Sequence, residues 1–354
     1  MGPTHPAGRA ATLAALALIL LGTACSDDTP KPQVEPDPLA SIPVSAGLDE
    51  VPADTLAMGG LVIDEDGNRL SGVLITTEPF SEELLTNQNG EYVLFQNLTA
   101  GSYEVRAEKA GYAIGWAATV LAEDDFRRLD IIMLPESVAS VLTVTPGAAA
   151  FPPTRRVATL FLDNPSNDAL TWEVTSSPDW LEISSSSREV LAGNPELLDL
   201  RVVSSALDLT ERQDAVLELR DSAMRRLLIP VVADPIDPSL IRLVDLTDPA
   251  ARQTSFGEPV SLDFQVNYGS VGVEGELIQC VVRDANTGAE AVLSVDVTLT
   301  ELADYRGRAS CTFTPERNDA GGDGPTMLDL VVEASIPAFA DSPAATVAVP
   351  VTVR

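Results

Sequence analysis

The sequence predicts an all-β protein, three tandem β-sandwich domains behind an export signal and an unstructured tether. Short runs rich in Val, Leu, Thr and aromatic residues recur along most of the chain, separated by turn clusters such as Asn89-Gly90 and Asp163-Asn164-Pro165. The length, 354 residues, exceeds one small sandwich and suits about three domains with extra segments. The first 54 residues differ in composition from the rest, being apolar and then rich in proline and acid. The formal charge of −31 argues against a nucleic-acid partner and against an electrostatic hold on anionic lipid.

Residues 1–24 form the export signal. Arg9 precedes an apolar run over 10–21, too short to span a bilayer, which takes about 20 residues. The run ends in Leu20-Leu21-Gly22-Thr23-Ala24-Cys25-Ser26, which resembles a bacterial lipoprotein signal. The resemblance implies cleavage before Cys25, acylation of its thiol and a bilayer partner held through that lipid. Gly22 stands where such signals usually carry an aliphatic residue. An ordinary secretory signal cut near Ala24 is the alternative.

Residues 25–54 are expected to be an unstructured tether. Pro30, Pro32, Pro36, Pro38, Pro43 and Pro52 are interleaved with acids, a pattern that favours extended polyproline II. At about 3.1 Å per residue such a segment reaches on the order of 90 Å.

The first sandwich is expected over 55–135. Tyr103, Val105 and Ala107 alternate with Ser102, Glu104 and Arg106, the period of a half-buried strand. Upstream, 60–63 and 73–76 flank Asp64-Glu65-Asp66-Gly67-Asn68, another strand–turn–strand unit, and 113–120 and 127–134 supply further strands. Together with Asn89-Gly90-Glu91-Tyr92, Gly101-Ser102-Tyr103 and Lys109-Ala110-Gly111-Tyr112, this resembles the carboxypeptidase regulatory-like domain, a transthyretin-type β-sandwich. Leu98 arrives one residue later than in that family, so a bulge near 93–94 is expected, burying Tyr92, Phe95 and Leu98 together. Asp64, Asp66 and Asn68 imitate the start of a calcium loop, yet Arg69 and Ile75 stand where its Gly and bidentate Glu belong. A hairpin turn is the expectation, with no metal.

Over 138–234, runs at 141–145, 157–162, 170–174, 178–184, 197–203, 215–219 and 227–232 make a seven-strand set at immunoglobulin-like spacing. Leu170-Thr171-Trp172-Glu173-Val174 followed by Asp179-Trp180-Leu181-Glu182-Ile183-Ser184 resembles a BACON domain. That family is often attached to glycan-processing proteins, which implies a possible carbohydrate or mucin partner. The glycine usual after the serine run is replaced by Ser187-Arg188-Glu189. Trp172 alternates with Leu170 and Val174 and reads as core. Trp180, at a strand start after Pro178-Asp179, reads as buried, and as the competing reading it is the candidate ligand-binding residue, a sugar-stacking platform.

The third sandwich, 237–354, shows strands at 241–246, 260–266, 277–283, 291–299, 309–313, 327–333 and 346–353. The Gly321-Gly322-Asp323-Gly324 cluster reads as a loop. Cys280 and Cys311 fall in strands, and in an exported protein they are expected to form a disulfide. A plain meander would hold them about 9.5 Å apart, too far to bond, so the chain is expected to cross between sheets.

The only histidine, His5, lies inside the signal. A mature chain without histidine excludes Ser-His-Asp triads, histidine zinc sites and the usual neutral-pH general base. No phosphate-binding or dinucleotide fingerprint is present, and no cofactor is expected. The expected function is that of a non-enzymatic cell-envelope lipoprotein, exported and lipid-anchored at the outer membrane or cell surface, whose tandem sandwiches bind a glycan or protein partner or serve adhesion. The alternatives are a structural spacer or envelope-complex subunit without ligand, and an Asp/Glu-based glycoside hydrolase.

Overall fold

The computed structural model describes residues 42–51, 55–123, 125–208, 210–288, 295–300, 308–315 and 328–354. Cys25, the signal and the 321–324 loop lie outside these. The described residues contain no α-helix, only short 3-10 turns between strands. The strands make six sheets, two to a sandwich.

In the first sandwich Ala57–Asp64 pairs antiparallel with Glu91–Leu94 and parallel with both Phe126–Arg128 and Ile131–Met133. The facing sheet runs in the order Leu84–Leu85, Leu74–Glu78, Gly101–Glu108, Gly115–Leu121. Tyr103, Val105 and Ala107 are all buried, as their alternation requires. Asp64 Oδ1 accepts from the amides of Asp66 and Asn68, at 3.0 and 2.8 Å, and Oδ2 accepts from Asn68 Nδ2, so the carboxylate is engaged in closing its own turn.

Three expectations for this domain are corrected. The bulge is absent: Glu91–Leu94 pairs in regular register with Ala57–Asp64, and Tyr92, Val93 and Leu94 are buried. Phe95 lies beyond the strand end, 45 % exposed. Its amide and that of Gln96 are both taken by Glu82 Oε1, and the following turn brings Leu98 back to the core edge. The single strand expected over 127–134 is split. Leu129 and Asp130 leave the ladder because the Leu129 carbonyl closes on Gly60, which has no Cβ to oppose it. That carbonyl accepts from the Tyr92 hydroxyl at 2.6 Å, while Asp130 Oδ1 takes the Leu61 amide that the ladder released. The tether stops sooner than expected. Residues 43–45 pair with the strand Leu84–Leu85, and Ser45 Oγ accepts the Val93 amide, so 42–50 belong to the sandwich.

The second sandwich packs a five-stranded sheet, Ala149–Phe151, Arg226–Ala233, Gln213–Asp221, Leu170–Ser176 and Ser187–Val190, on a four-stranded one, Leu181–Ile183, Glu196–Val202, Val157–Asp163 and Thr143–Thr145. Nine strands stand where seven were expected. Ser187–Val190, where the resemblance noted above expects a glycine turn, is an edge strand along Leu170–Ser176.

In the third sandwich one sheet holds Ile241–Asp245, Val260–Tyr268, Arg308–Phe313 and Val295–Thr300, and the other Gln253–Thr254, Thr346–Val353, Leu328–Ser335 and Gln279–Asp284. Cys280 and Cys311 therefore lie on facing sheets. They are bridged, with Cα atoms 6.3 Å apart. The chain crosses from one sheet to the other after Gln279–Asp284, which removes the two-strand separation of a meander.

Both seams between sandwiches are docked. At the second, the Arg156 amide donates to Glu274 O at 2.8 Å, and the Ser204 hydroxyl donates to Glu276 Oε2 at 2.8 Å. The Arg156 side chain is fully buried and its three nitrogens make no hydrogen bond. Burial lowers its pKa to about 10, against the opposing pull of Glu276 and Asp234.

Candidate functional site: the cleft between the first two sandwiches

The linker after Ile131–Met133 does not hang free. Arg226 donates its amide to Val138 O at 2.9 Å and accepts from the Ser140 amide at 2.7 Å, so the linker becomes an edge segment of the second sandwich. A second fastening lies across the seam. Arg212 donates from Nη1 to Thr119 Oγ1 at 2.6 Å and from Nη2 to Ala118 O at 3.3 Å, braced by Asp214 at 2.8 Å. Ala118, Ala148 and Val232 form a small apolar seal, flanked by Trp116 and Ala150. Trp116 rests against Gly147 on one side and receives the Arg106 guanidinium, 5.8 Å from its ring centroid. Gly147 donates its amide to Glu104 Oε2 at 3.3 Å, and burial beside Glu78 raises the pKa of that carboxyl despite the bond.

Between these fastenings the sandwiches part. The opening is a cleft of about 620 Å³. Ile114, Trp116 and Ile132 line it from the first sandwich, and Leu142, Val216 and Leu228 from the second. Ile114, Ile132 and Val216 are 43, 40 and 37 % exposed, so apolar side chains from both domains converge on one opening instead of scattering. The charges in its lining balance, Arg128 and Arg226 against Asp130 and Asp214. Arg128 is held by Asp130, and Arg226 by Glu218 and by Glu65 of the first sandwich at 3.1 Å. Burial alone would raise the Glu218 pKa; the Arg226 bonds outweigh it and hold that carboxyl below its ordinary value.

The residues singled out from sequence lie elsewhere. Trp180 is 7 % exposed, edge-on to Phe151 at 6.5 Å, inside the core of the second sandwich. Trp180 is therefore buried, as its favoured reading had it, and the sugar-platform alternative finds no exposed indole there. Trp172 is also core. Cys280 and Cys311 sit in the third sandwich, away from the cleft. Trp116 was the residue missed. It falls on the opposite parity from Ala117, Thr119 and Leu121, which are buried, so alternation alone marks it as facing off its own domain. Among the described residues no group of three acids, cysteines or histidines is placed to hold a metal ion.

The family model described as carboxypeptidase regulatory-like domain matches residues 57–134, and the one described as viral BACON domain matches 141–225. The chain carries these two modules in tandem. The cleft is thus the seam between a carboxypeptidase regulatory-like module and a BACON module. No curated protein matches the chain. Among solved structures, a Porphyromonas gingivalis W83 protein of unknown function is 14 % identical, covering 61 % of this chain and all of that one, with a TM-score of 0.25. The Yersinia pseudotuberculosis adhesin InvE is 16 % identical over 60 % of this chain and 58 % of its own, TM-score 0.26. The CsuC–CsuE chaperone–adhesion subunit complex of Acinetobacter baumannii is 13 % identical over 43 and 85 %, TM-score 0.24. Scores this low carry no argument about function.

Proposed function

We propose that this protein is a non-enzymatic, exported cell-envelope lipoprotein, anchored through Cys25, whose tandem sandwiches bind a ligand in the cleft between the carboxypeptidase regulatory-like and BACON modules. One observation carries the binding role. Exposed apolar side chains of two domains converge on a lined opening of about 620 Å³, the size of a ligand site. The absence of histidine after position 5 supports a role other than catalysis, since the usual neutral-pH base is missing. The favoured ligand is apolar and uncharged rather than a glycan, because most of the apolar lining is aliphatic, Trp116 is already occupied by Gly147 and Arg106, and Trp180 is core.

The test is titration of the mature protein with an environment-sensitive apolar dye, beside a glycan array and a mucin pull-down. Val216→Asp places a charge in the cleft wall and should abolish dye binding without lowering the melting temperature. Equal dye binding by that variant would overturn the site, and glycan retention by the variant would move any sugar site elsewhere. A second reading, a ligand-free spacer, is favoured by the docked seams, which make the modules stiff. It is the outcome if neither dye nor glycan binds.

A further inference from the structure

The cleft opens onto a gap in a strand edge. The strand Arg226–Ala233 pairs along its whole length with Gln213–Asp221 on one side. On the other side it pairs in parallel twice, at Arg226 with Ala139 and at Val231 to Ala233 with Ala149–Phe151. Between these two segments the chain leaves for the opposite sheet, through Thr143–Thr145, and the edge at 227–230 is vacant. The Arg226 amide and carbonyl bond to Val138 and Ser140 on the gapped side, and the Asp234 amide bonds to Phe151 O on the same side. Even-numbered residues therefore aim their backbone polar groups at the gap. Pro230 has no N–H to offer. The Leu228 N–H and C=O aim into the gap, and no described residue bonds to either. Leu228 also lines the cleft.

We propose that the cleft takes a short extended peptide with uncharged apolar side chains, which completes this edge by bonding to the Leu228 amide and carbonyl. The inference rests on the cleft being the binding site. Two features define the occupant. The ladder already exists on both sides of the gap, so an extended segment continues an established parallel pairing rather than starting a new one. The charges of the lining cancel, two arginines against two aspartates, in a chain of net charge −31, so the cleft offers nothing to a charged segment. Four vacant residues span about 13 Å, room for a segment of three to five residues. Backbone bonds would fix its direction, and alternate side chains would fill the apolar walls. Pro230 ends the addition, because a proline on the edge denies the next donor.

The test uses the mature full chain and end-blocked, fluorescein-labelled five-residue peptides of alternating Val and Thr, with a matched set carrying Glu or Lys. Leu228→Pro removes the edge-facing N–H, in the same parity as the native Pro230, so the ladder to Gln213–Asp221 is kept, and it also trims the side chain that lines the cleft. Leu228→Val trims the side chain to about the size of proline and keeps the donor. Binding of the uncharged peptides should fall at least about tenfold in Leu228→Pro and stay within about threefold in Leu228→Val. Should Leu228→Pro fail to fold, amide exchange of Leu228 in the unmodified protein gives the same answer, slowing when peptide is saturating. Equal binding by Leu228→Pro, an unchanged Leu228 exchange rate, or stronger binding of the charged set would overturn the proposal. Dye binding that Val216→Asp abolishes, with no peptide bound, sinks strand addition alone; loss of both sinks the cleft as a site.

Discussion

Replacing Gly147 with alanine tests whether the first two sandwiches are held by the Trp116 contact. Gly147 has a backbone conformation open to any residue, so the substitution brings no dihedral strain. The cost is steric. A methyl group there would fall inside the indole, with Cδ2 and Cε2 nearest and even Cε3 only 2.6 Å away, about an ångström short of ordinary contact. Trp116 cannot simply swing aside, since Arg106 lies against it and Ala118, Ala148 and Val232 close the seal beside it. Overpacking of this kind costs about 1–3 kcal/mol, or about a 5- to 160-fold shift in the docking equilibrium. Because the clash is between domains, the seam should loosen while each core stays folded. Trp172 and Trp180 are buried in the second sandwich, so added acrylamide quenching reports Trp116. Urea unfolding of Gly147→Ala should show the loss, and the same substitution in a Trp116→Ala background should cost under about 0.5 kcal/mol. An equal cost in both backgrounds would refute the Trp116 account and place the effect in the local backbone.

The second seam should weaken as pH rises. Burial raises the carboxyl pKa values of Glu276 and Asp234, so the stability they carry is complete below their ordinary values near 4 and is lost as pH climbs through the raised ones. The protection factor of the Arg156 amide, its exchange rate corrected for the intrinsic base-catalysed rise, should fall from pH 4 to 7, and Glu276→Gln should flatten the trend; a protection factor that grows with pH would contradict it. Reducing the Cys280–Cys311 bridge, which closes a separation of 31 residues, should lower the stability of the third sandwich by about 3–4 kcal/mol, with the other two unchanged in differential scanning calorimetry. Cys25→Ala should abolish labelling by radioactive palmitate and block cleavage of the precursor, and persistent labelling would rule out the lipid anchor.

Local chemistry made much of this protein legible. Alternation put Tyr103, Val105 and Ala107 inward, and the all-β class followed from strand runs and turn residues whose preferences act over a few bonds, while the first two modules were marked by their resemblance to known families. The same alternation already turned Trp116 away from its own core. It could not say toward what. Phe95 was misplaced because a strand's end depends on who takes its next amides, and here a distant carboxylate, Glu82, takes two of them. Arg156 reads as a surface residue until a second domain closes over it beside Glu276 and Asp234. The cleft lies furthest from the one-dimensional pattern. Its walls are the outward faces of two modules that each look ordinary alone, and the vacant Leu228 edge exists because the chain between 140 and 149 leaves for the opposite sheet. Periodicity sets which side of a strand is apolar, since that is decided by neighbours two residues apart. Which outward faces meet, and what they leave open, is decided by packing between residues far apart in sequence, as Ala118 against Val232, and by one missing Cβ at Gly147 that lets the Trp116 indole lie against it.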